Sequence, residues 1–419
     1  MDDPVRAQYE RYPYPARDPR DERKRLIEGY PSHLVEVNHY VFAGARDFTR
    51  PFRALVAGGG TGDGAIMLAQ HLADRGCPAE VVYLDISAAS RRIAEARAAE
   101  RGLANLRFLQ ADLMELPRLG LGRFDYIDCC GVLHHLEDPA AGLRVLAGAL
   151  AEEGGLGLML YGAIGRSGVY DVQEALRRLA PPGLGAESRL EIARRLLRQL
   201  PPTNRLRRNP VVVDHLRGGD AALFDLLLHG RDRAYTVPQV HALLGGAGLA
   251  AVAFVEPWRY DPASYLNDAA LLRRVQALPE KERQALAELI AGNMKVHVCY
   301  AVPAARAGHA VARADSPAVR PRPWRGDGAA IAQALKPGPS ITARIDGLAV
   351  SFPLPRRAAP ILRLIDGRRS LAEIHATLAA STPGGLGWDD FKADFDRLYA
   401  VLNGINLLFL ERLPLPPGH

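Results

Sequence analysis

The stretch Val56–Gly64, VAGGGTGDG, contains five glycines in nine residues and follows the apolar run ALVA. In a strand, glycine loop and helix of this kind, bare backbone and free N–H groups can approach a ligand closely. Two cofactor classes fit the loop. Gly60, Gly62 and Ala65 match G-x-G-x-x-A, which is typical of dinucleotide sites, whereas Gly58 begins the pattern G-x-G-x-G, which suits an adenosyl cofactor without a pyrophosphate. A tight turn without a ligand is a third interpretation. Residues elsewhere in the chain are needed to choose among these three interpretations.

Short apolar runs alternate with amphipathic segments on both sides of this loop. Strands alternating with helices in this way predict a parallel sheet covered by helices on both faces. The predicted fold class is therefore α/β, a doubly wound, mostly parallel seven-stranded sheet. The predicted strands lie at 54–57, 79–87, 106–113, within 123–136, and at 155–162, 250–257 and 295–303.

Changes in composition divide the chain into segments. Residues 1–50 are polar, aromatic and broken by prolines, and they are predicted to form an N-terminal lid or extension. Residues 51–303 form the α/β domain, in which a helical insertion at 165–235 caps the carboxyl edge of the sheet. The Ala-, Pro-, Arg- and Gly-rich stretch 304–334 is predicted to be a linker. Residues 335–412 are predicted to form a small α+β domain.

The composition argues against several classes of protein. The net charge of +6 comes mainly from arginines, which are scattered and not interleaved with aromatic residues, so a nucleic-acid partner is not expected. The four cysteines form no C-x-x-C pair, so neither a metal site nor a disulfide framework is predicted. The sequence has no signal core and no run of roughly 18 apolar residues, so we expect a cytoplasmic protein without a membrane partner.

Acidic residues follow the second and third predicted strands. Asp85 ends one strand, where its carboxylate can accept hydrogen bonds from both hydroxyls of a ribose, and Asp112 ends the next, where it can receive an adenine amino group. The carboxyl ends of parallel strands line one crevice, so both side chains are expected beside the glycine loop. Each carboxylate could instead cap the turn or helix that follows it.

Four motifs in this order resemble the class I S-adenosylmethionine-dependent methyltransferases: GGGTGDG, VVYLDIS, FLQADLMELP and FDYIDCCGVLHHLEDP. The resemblance implies the fold predicted above and S-adenosylmethionine as the cofactor. One position departs from the family, because Val56 stands where an acid usually helps to arrange the cofactor's amino group. The cofactor-binding residues that the resemblance implies are Gly58, Gly60, Gly62, Asp85, Ile86, Asp112, Leu113, Cys130 and Gly131.

Catalysis and acceptor binding are assigned to residues around this crevice. A histidine in the loop after the fourth strand could position or deprotonate an acceptor, or could merely order the loop. The catalytic candidates are His134, His135 and Tyr161. An aromatic N-terminal segment and the start of the insertion are expected to cover the site. The lid and substrate candidates are Tyr9, Tyr12, Tyr14, Tyr40 and Arg166.

The C-terminal segment PILRLIDGRRSLAEIHATL resembles the small winged-helix domains of peptide-binding chaperone modules, and similar domains follow some protein-lysine methyltransferases. Ser370 and Glu373 have the spacing of a capping box at a helix start. The resemblance implies a peptide bound by β-augmentation. A structural or dimerising module, and hence a homodimer, is the alternative.

These features together predict an S-adenosylmethionine-dependent methyltransferase that acts on an oxygen or nitrogen acceptor. The acceptor is either a small molecule or a protein or peptide. One alternative is a non-catalytic cofactor-binding scaffold that acts through its C-terminal module. An NAD-dependent oxidoreductase is the weaker alternative, because it leaves Asp112 and the two adjacent histidines unexplained.

Overall fold

The computed structural model describes residues 4–335 and 340–412. The predicted segments 1–50 and 335–412 therefore include some residues outside the described ranges. The strands of the main sheet are β1 (Phe52–Ala57), β2 (Ala79–Asp85), β3 (Leu106–Gln110), β4 (Phe124–Cys130), β5 (Leu150–Tyr161), β6 (Leu249–Phe254) and β7 (Val296–Pro303). Four further strands lie towards the C-terminus: β8 (Arg320–Pro323), β9 (Ser340–Ile345), β10 (Leu348–Pro353) and β11 (Leu408–Glu411).

The main sheet has the order β3-β2-β1-β4-β5-β7-β6. The first five strands in this order are parallel, and β7 runs antiparallel to both of its neighbours. The predicted doubly wound, mostly parallel seven-stranded sheet is confirmed. Alternate side chains of β1 enter the cores on opposite faces, with Leu55 on one face and Ala54 and Val56 on the other. The glycine loop follows β1 at the centre of the carboxyl edge.

Helices cover both faces of this sheet and form the insertion. The helices of the first half are α1 (Pro4–Arg11), α2 (Leu34–Val41), α3 (Asp63–Asp74), α4 (Ala88–Glu100), α5 (Pro139–Gly148), α6 (Val169–Leu179), α7 (Ala186–Gln199), α8 (Arg205–Arg208), α9 (Asp214–Arg217) and α10 (Gly219–Leu227). Those of the second half are α11 (Val237–Gly245), α12 (Ala269–Gln276), α13 (Glu280–Ala291), α14 (Gly328–Ala334), α15 (Ala358–Leu364), α16 (Leu371–Ser381) and α17 (Trp388–Gly404). Single 3₁₀ turns lie at Pro19–Arg23, Leu113–Arg118, Leu133–His135, Pro257–Tyr260, Pro262–Ser264 and Ala304–Arg306.

Helix α2 is not part of a lid. Every residue of this helix is buried, since the sheet covers one side and β11 the other. Tyr40, which the sequence placed among the lid residues, stacks on Tyr300 with ring centroids 5.2 Å apart and packs edge-on against Phe409. The prediction for Tyr40 is wrong, because the apolar surface of LVEVNHYV needs burial on both sides.

The region predicted to be a linker is partly ordered structure. Strand β8 pairs antiparallel with β11, and α14 packs on α15. An aspartate begins α14: the Asp327 side chain accepts a hydrogen bond from the Ala330 N–H. Local composition concealed the strand because its partner lies more than eighty residues further along the chain.

The C-terminal segment packs closely on the α/β domain. Strands β9 and β10 form the predicted hairpin around Asp346 and Gly347, both of which have positive φ. Arg259 forms an ion pair with Asp346, and a Cβ at Gly404 would lie only 1.5 Å from the Trp258 ring. The capping box at Ser370 is present. Whether the segment acts as a peptide-binding winged helix stays a prediction.

A buried ion cluster fixes the N-terminal segment to α4. The Arg97 guanidinium has 1% of its side chain exposed and donates to the Glu22 carboxylate, at 2.5 Å, and to Asp63, at 2.6 Å. Arg101 binds the other oxygen of Glu22. This cluster joins the 3₁₀ turn at Pro19–Arg23 to the start of α3 and thereby holds the covering segment against the glycine loop.

We expect Glu22→Ala to lower the free energy of unfolding by about 3 kcal/mol, because it leaves a buried guanidinium with one partner fewer. Urea unfolding measures this change. Asp21→Ala is the matched control on the same turn: Asp21 pairs with Lys24 at the surface, so its loss should have little effect. Equal losses for the two variants would contradict the assignment of the buried cluster as the anchor.

Candidate functional site

The glycine loop turns sharply above β2. The Gly58 and Gly59 N–H groups both donate to the Leu84 carbonyl, and Gly58, Gly60 and Gly62 all have positive φ. Gly62 caps the start of α3 with φ of 104° and lies outside the cavity lining, so its role is to form the turn. Gly58 and Gly60 line the cavity.

Asp85 occupies the end of β2 directly beside this loop. Its carboxylate accepts hydrogen bonds from the Gly60 and Ser87 N–H groups, both at 2.8 Å. Burial raises the pKa of Asp85, against the effect of these N–H donors. The carboxylate therefore ties the glycine loop to the start of α4 and also lines the cavity, where its remaining lone pairs can accept hydrogen bonds from a ligand.

The residues that follow β2 and β3 also line the cavity. Ile86 and Leu113 are the apolar residues there, and Asp112 is the acidic one. Asp112 also caps the following 3₁₀ turn, since its carboxylate accepts from the Met114 N–H and the Glu115 carboxylate accepts in turn from the Asp112 N–H. Both interpretations of Asp112, as a cap and as a cavity residue, are compatible with this position.

The other end of the cavity lies against β1 and β4. Cys130 and Gly131 line it, and burial raises the pKa of the Cys130 thiol. Val56 also lines this end, and Asp128 is its register partner on β4. Asp128 is 1% exposed, and burial raises its pKa to about 6. Asp128 was not among the predicted site residues, because only the pairing of β1 with β4 shows that it lies beside Val56.

The N-terminal segment closes the cavity from above. Tyr9 and Tyr14 line the cavity. Glu10 accepts hydrogen bonds from the first N–H groups of α4, and Thr61 donates to the Pro15 carbonyl. Tyr12 points away, stacking on the insertion at Phe224. The segment is therefore fastened on both sides of Tyr14, and Tyr12 helps to join it to the insertion.

A cluster of polar side chains meets where this segment, β5 and the insertion converge. The Tyr9 hydroxyl donates to Asp225 Oδ1 at 3.0 Å, and the Tyr161 hydroxyl donates to Asp225 Oδ2 at 3.2 Å. His135 and His229 stack with ring centroids 3.9 Å apart. Asp225 and His229 were not among the predicted residues. An aspartate within the apolar run ALFDLLL does indicate a buried polar site, because a carboxylate is rarely buried without a partner.

Backbone contacts fix the tautomers of the two stacked rings. His135 Nδ1 donates to the Arg231 carbonyl at 2.8 Å, so the lone pair of a neutral His135 lies on Nε2. His229 Nδ1 accepts from the Arg231 N–H at 3.0 Å, which places the His229 proton on Nε2. His229 therefore has a donor near Tyr9, whereas His135 lines the cavity and its Nε2, which makes no hydrogen bond within residues 4–335 and 340–412, can accept a proton.

The predicted residues His134 and Arg166 lie behind this cluster and not in the cavity lining. His134 stacks on Tyr161 with centroids 3.9 Å apart, and burial lowers its pKa well below the usual value. The Arg166 guanidinium lies 3.7 Å from the centre of the same ring and pairs with Asp232. Both side chains hold Tyr161 in place, which corrects the expectation that they face an acceptor directly.

Comparisons with known proteins relate this chain to methyltransferases. The sequence family described as "Methyltransferase domain" matches residues 55–156. The chain is 33% identical over 294 residues to "Uncharacterized protein syc1184_c" of Synechococcus, covering 68% of each protein. It is 31% identical over 80 residues to the "Ubiquinone biosynthesis O-methyltransferase" of Acinetobacter baylyi, covering 19% of this chain and only 33% of that relative. The structure of PKMT2 from Rickettsia typhi with AdoHcy superposes with a TM-score of 0.63 at 14% identity, covering 91% of this chain and 75% of that one.

The chain belongs to the same family as the Synechococcus protein, and its residues 55–156 match a methyltransferase domain of the S-adenosylmethionine-dependent type. Its cofactor is S-adenosylmethionine. The cavity fits this molecule: its volume is about 470 Å³, within the range of small-molecule sites, and it places a buried carboxylate beside bare loop backbone. Among the described residues, no helix combines the length and the apolar character needed to cross a membrane.

Proposed function

We propose that this protein transfers the methyl group of S-adenosylmethionine to a hydroxyl or amine of a small molecule held in the cavity beside His135. The observation that carries this proposal is the free Nε2 acceptor of His135, which lines the same cavity as the glycine loop. The O-methyltransferase relative supports an oxygen acceptor, over the 80 aligned residues.

When bound, the cofactor supplies an electrophilic methyl group, which bonds to an acceptor lone pair as the methyl–sulfur bond breaks and its electron pair stays on sulfur. His135 Nε2 accepts the proton that the acceptor loses. Tyr9 and Tyr161 are held by the Asp225 carboxylate, so their ring positions define the acceptor's orientation. The stacked His134 and Arg166 keep Tyr161 from moving.

Enclosure of the cavity supports a small acceptor. Segment 4–30 covers the cavity from one side, and the insertion contributes Asp225 and Arg231 to its wall. These covers exclude water from the reacting atoms. They also restrict how a folded protein could approach, which is why we favour a small molecule over a polypeptide.

A labelled-methyl assay on fractionated cell extract tests this proposal. The protein is incubated with labelled S-adenosylmethionine and, in separate reactions, with the metabolite, polypeptide and RNA fractions. We expect label in the metabolite fraction. Label confined to polypeptide or RNA would overturn the small-molecule acceptor, and saturable cofactor binding without transfer to any fraction would favour the non-catalytic scaffold.

We expect Tyr14→Ala to weaken AdoHcy binding about tenfold. Full burial of an apolar side chain contributes about 1.5–3 kcal/mol, and we assign about half of this value to the contact between the Tyr14 ring and the ligand. Burial raises the pKa of Tyr14 to about 12, so its hydroxyl stays neutral and the ring acts by contact. Tyr14→Phe keeps the ring and is the matched control, with binding close to that of the unaltered protein. Titration calorimetry measures both, and unchanged binding in Tyr14→Ala would remove Tyr14 from the lid.

A further inference from the structure

Position 56 provides no acidic side chain at the end of the cavity where the amino-acid part of the cofactor would bind. Val56 is apolar and 4% exposed, so it offers no counter-charge to an ammonium group. A cavity that binds an amino acid without such a partner would bury an uncompensated charge, which is costly. A neighbouring side chain must therefore supply the acid if the site binds the whole cofactor.

Asp128 lies where such an acid is needed. Parallel pairing places Asp128 of β4 directly beside Val56 of β1, and paired residues of neighbouring strands point to the same face of the sheet. Both residues line the cavity. The carboxylate also lies against the first turn of α3, because a Cβ at Gly64 would lie 2.6 Å from Asp128 Oδ2. A larger residue at position 64 would therefore collide with Asp128, and this steric limit does not depend on the backbone conformation of the glycine loop.

One oxygen of this carboxylate is satisfied and the other is not. Oδ2 accepts a hydrogen bond from the Ser32 hydroxyl. Within the described residues, Oδ1 is buried and accepts no hydrogen bond of good geometry, although the Cys130 backbone N–H lies close enough to the carboxylate to counter part of the rise in its pKa that burial causes. An orphaned carboxylate oxygen is expensive to bury unless a ligand completes it. A donor with positive charge satisfies it best, because burial disfavours the lone carboxylate anion.

We infer that Asp128 binds the ammonium group of the cofactor's methionine moiety and so replaces, from the adjacent strand, the acid missing at position 56. Ser32 holds the carboxylate from below and leaves Oδ1 free for the ligand. This inference rests on the cofactor alone and does not depend on which acceptor is methylated.

The test compares two ligands that differ in the amino-acid part. AdoHcy carries the ammonium group, whereas 5′-deoxy-5′-methylthioadenosine keeps the adenosyl part and lacks the amino acid. We expect D128N to weaken AdoHcy binding about 30-fold, in line with the cost of breaking a buried charge pair. Binding of methylthioadenosine should change less than about twofold, since it makes no contact with the carboxylate. Titration calorimetry gives both affinities, without any methyl transfer.

Retained methylthioadenosine binding shows that D128N is folded, and a double variant then tests the position of the acid. V56D/D128N moves the acid back to position 56, at the same level of the sheet, and we expect it to regain at least about tenfold of the AdoHcy affinity. Equal weakening of both ligands by D128N would overturn the inference in favour of a structural role. Unchanged AdoHcy affinity in D128N would overturn it as well.

Discussion

Asp85→Ala is expected to weaken AdoHcy binding by about 10³-fold. A hydrogen bond to a charged group contributes about 1.5–3 kcal/mol, and in the predicted assignment the two ribose hydroxyls would donate two such bonds to Asp85. The same carboxylate accepts the Gly60 and Ser87 N–H groups. The variant therefore also loosens the glycine loop, which adds to the loss.

Asp112→Ala is the matched control for this variant, because Asp112 is also an acid at a strand end in the cavity lining. Asp112 is tied to its own 3₁₀ turn, so we expect a loss of less than about tenfold. Thermal unfolding of both variants separates folding from binding. Normal AdoHcy affinity in Asp85→Ala would contradict the assignment of Asp85 to the ribose.

The sequence predicted the parts of the molecule that local patterns encode. Apolar strands, the glycine loop and the acid at the end of β2 all lie within short windows, and the rule that parallel strands share one functional edge then brings them together. This is why the predicted cofactor-binding residues other than Gly62 all line one cavity.

Distant contacts explain what the sequence could not predict. Helix α2 is buried on every side because β11, near the C-terminus, covers the side that the sheet leaves open. Asp225 accepts a hydrogen bond from Tyr9, which lies 216 residues away in the sequence. Asp128 is placed beside Val56 only by the register of β1 and β4. In each case the partner lies outside any window in which composition or periodicity can be read, so Asp225 at the acceptor end and Asp128 at the cofactor end were both missed.

His135→Gln is expected to lower kcat by about 10²- to 10⁴-fold, the usual contribution of a positioned general base. Glutamine fills much of the same volume, but its side chain cannot take a proton from the acceptor. AdoHcy affinity should stay within about threefold, because cofactor binding depends on the opposite end of the cavity. The measurement is the rate of labelled-methyl transfer to the extract fraction that the unaltered protein labels, together with calorimetry for AdoHcy.

The matched control is His241→Gln, the same substitution on α11, where His241 bonds to Gln284 and does not line the cavity. It should leave kcat within about twofold. A fall in kcat for His135→Gln with unchanged AdoHcy binding separates proton transfer from cofactor loss. If kcat is unchanged, the acceptor gives its proton to solvent, and His135 then serves only to order the loop between β4 and α5. If AdoHcy affinity falls in step with kcat, the imidazole supports the cofactor end of the cavity instead.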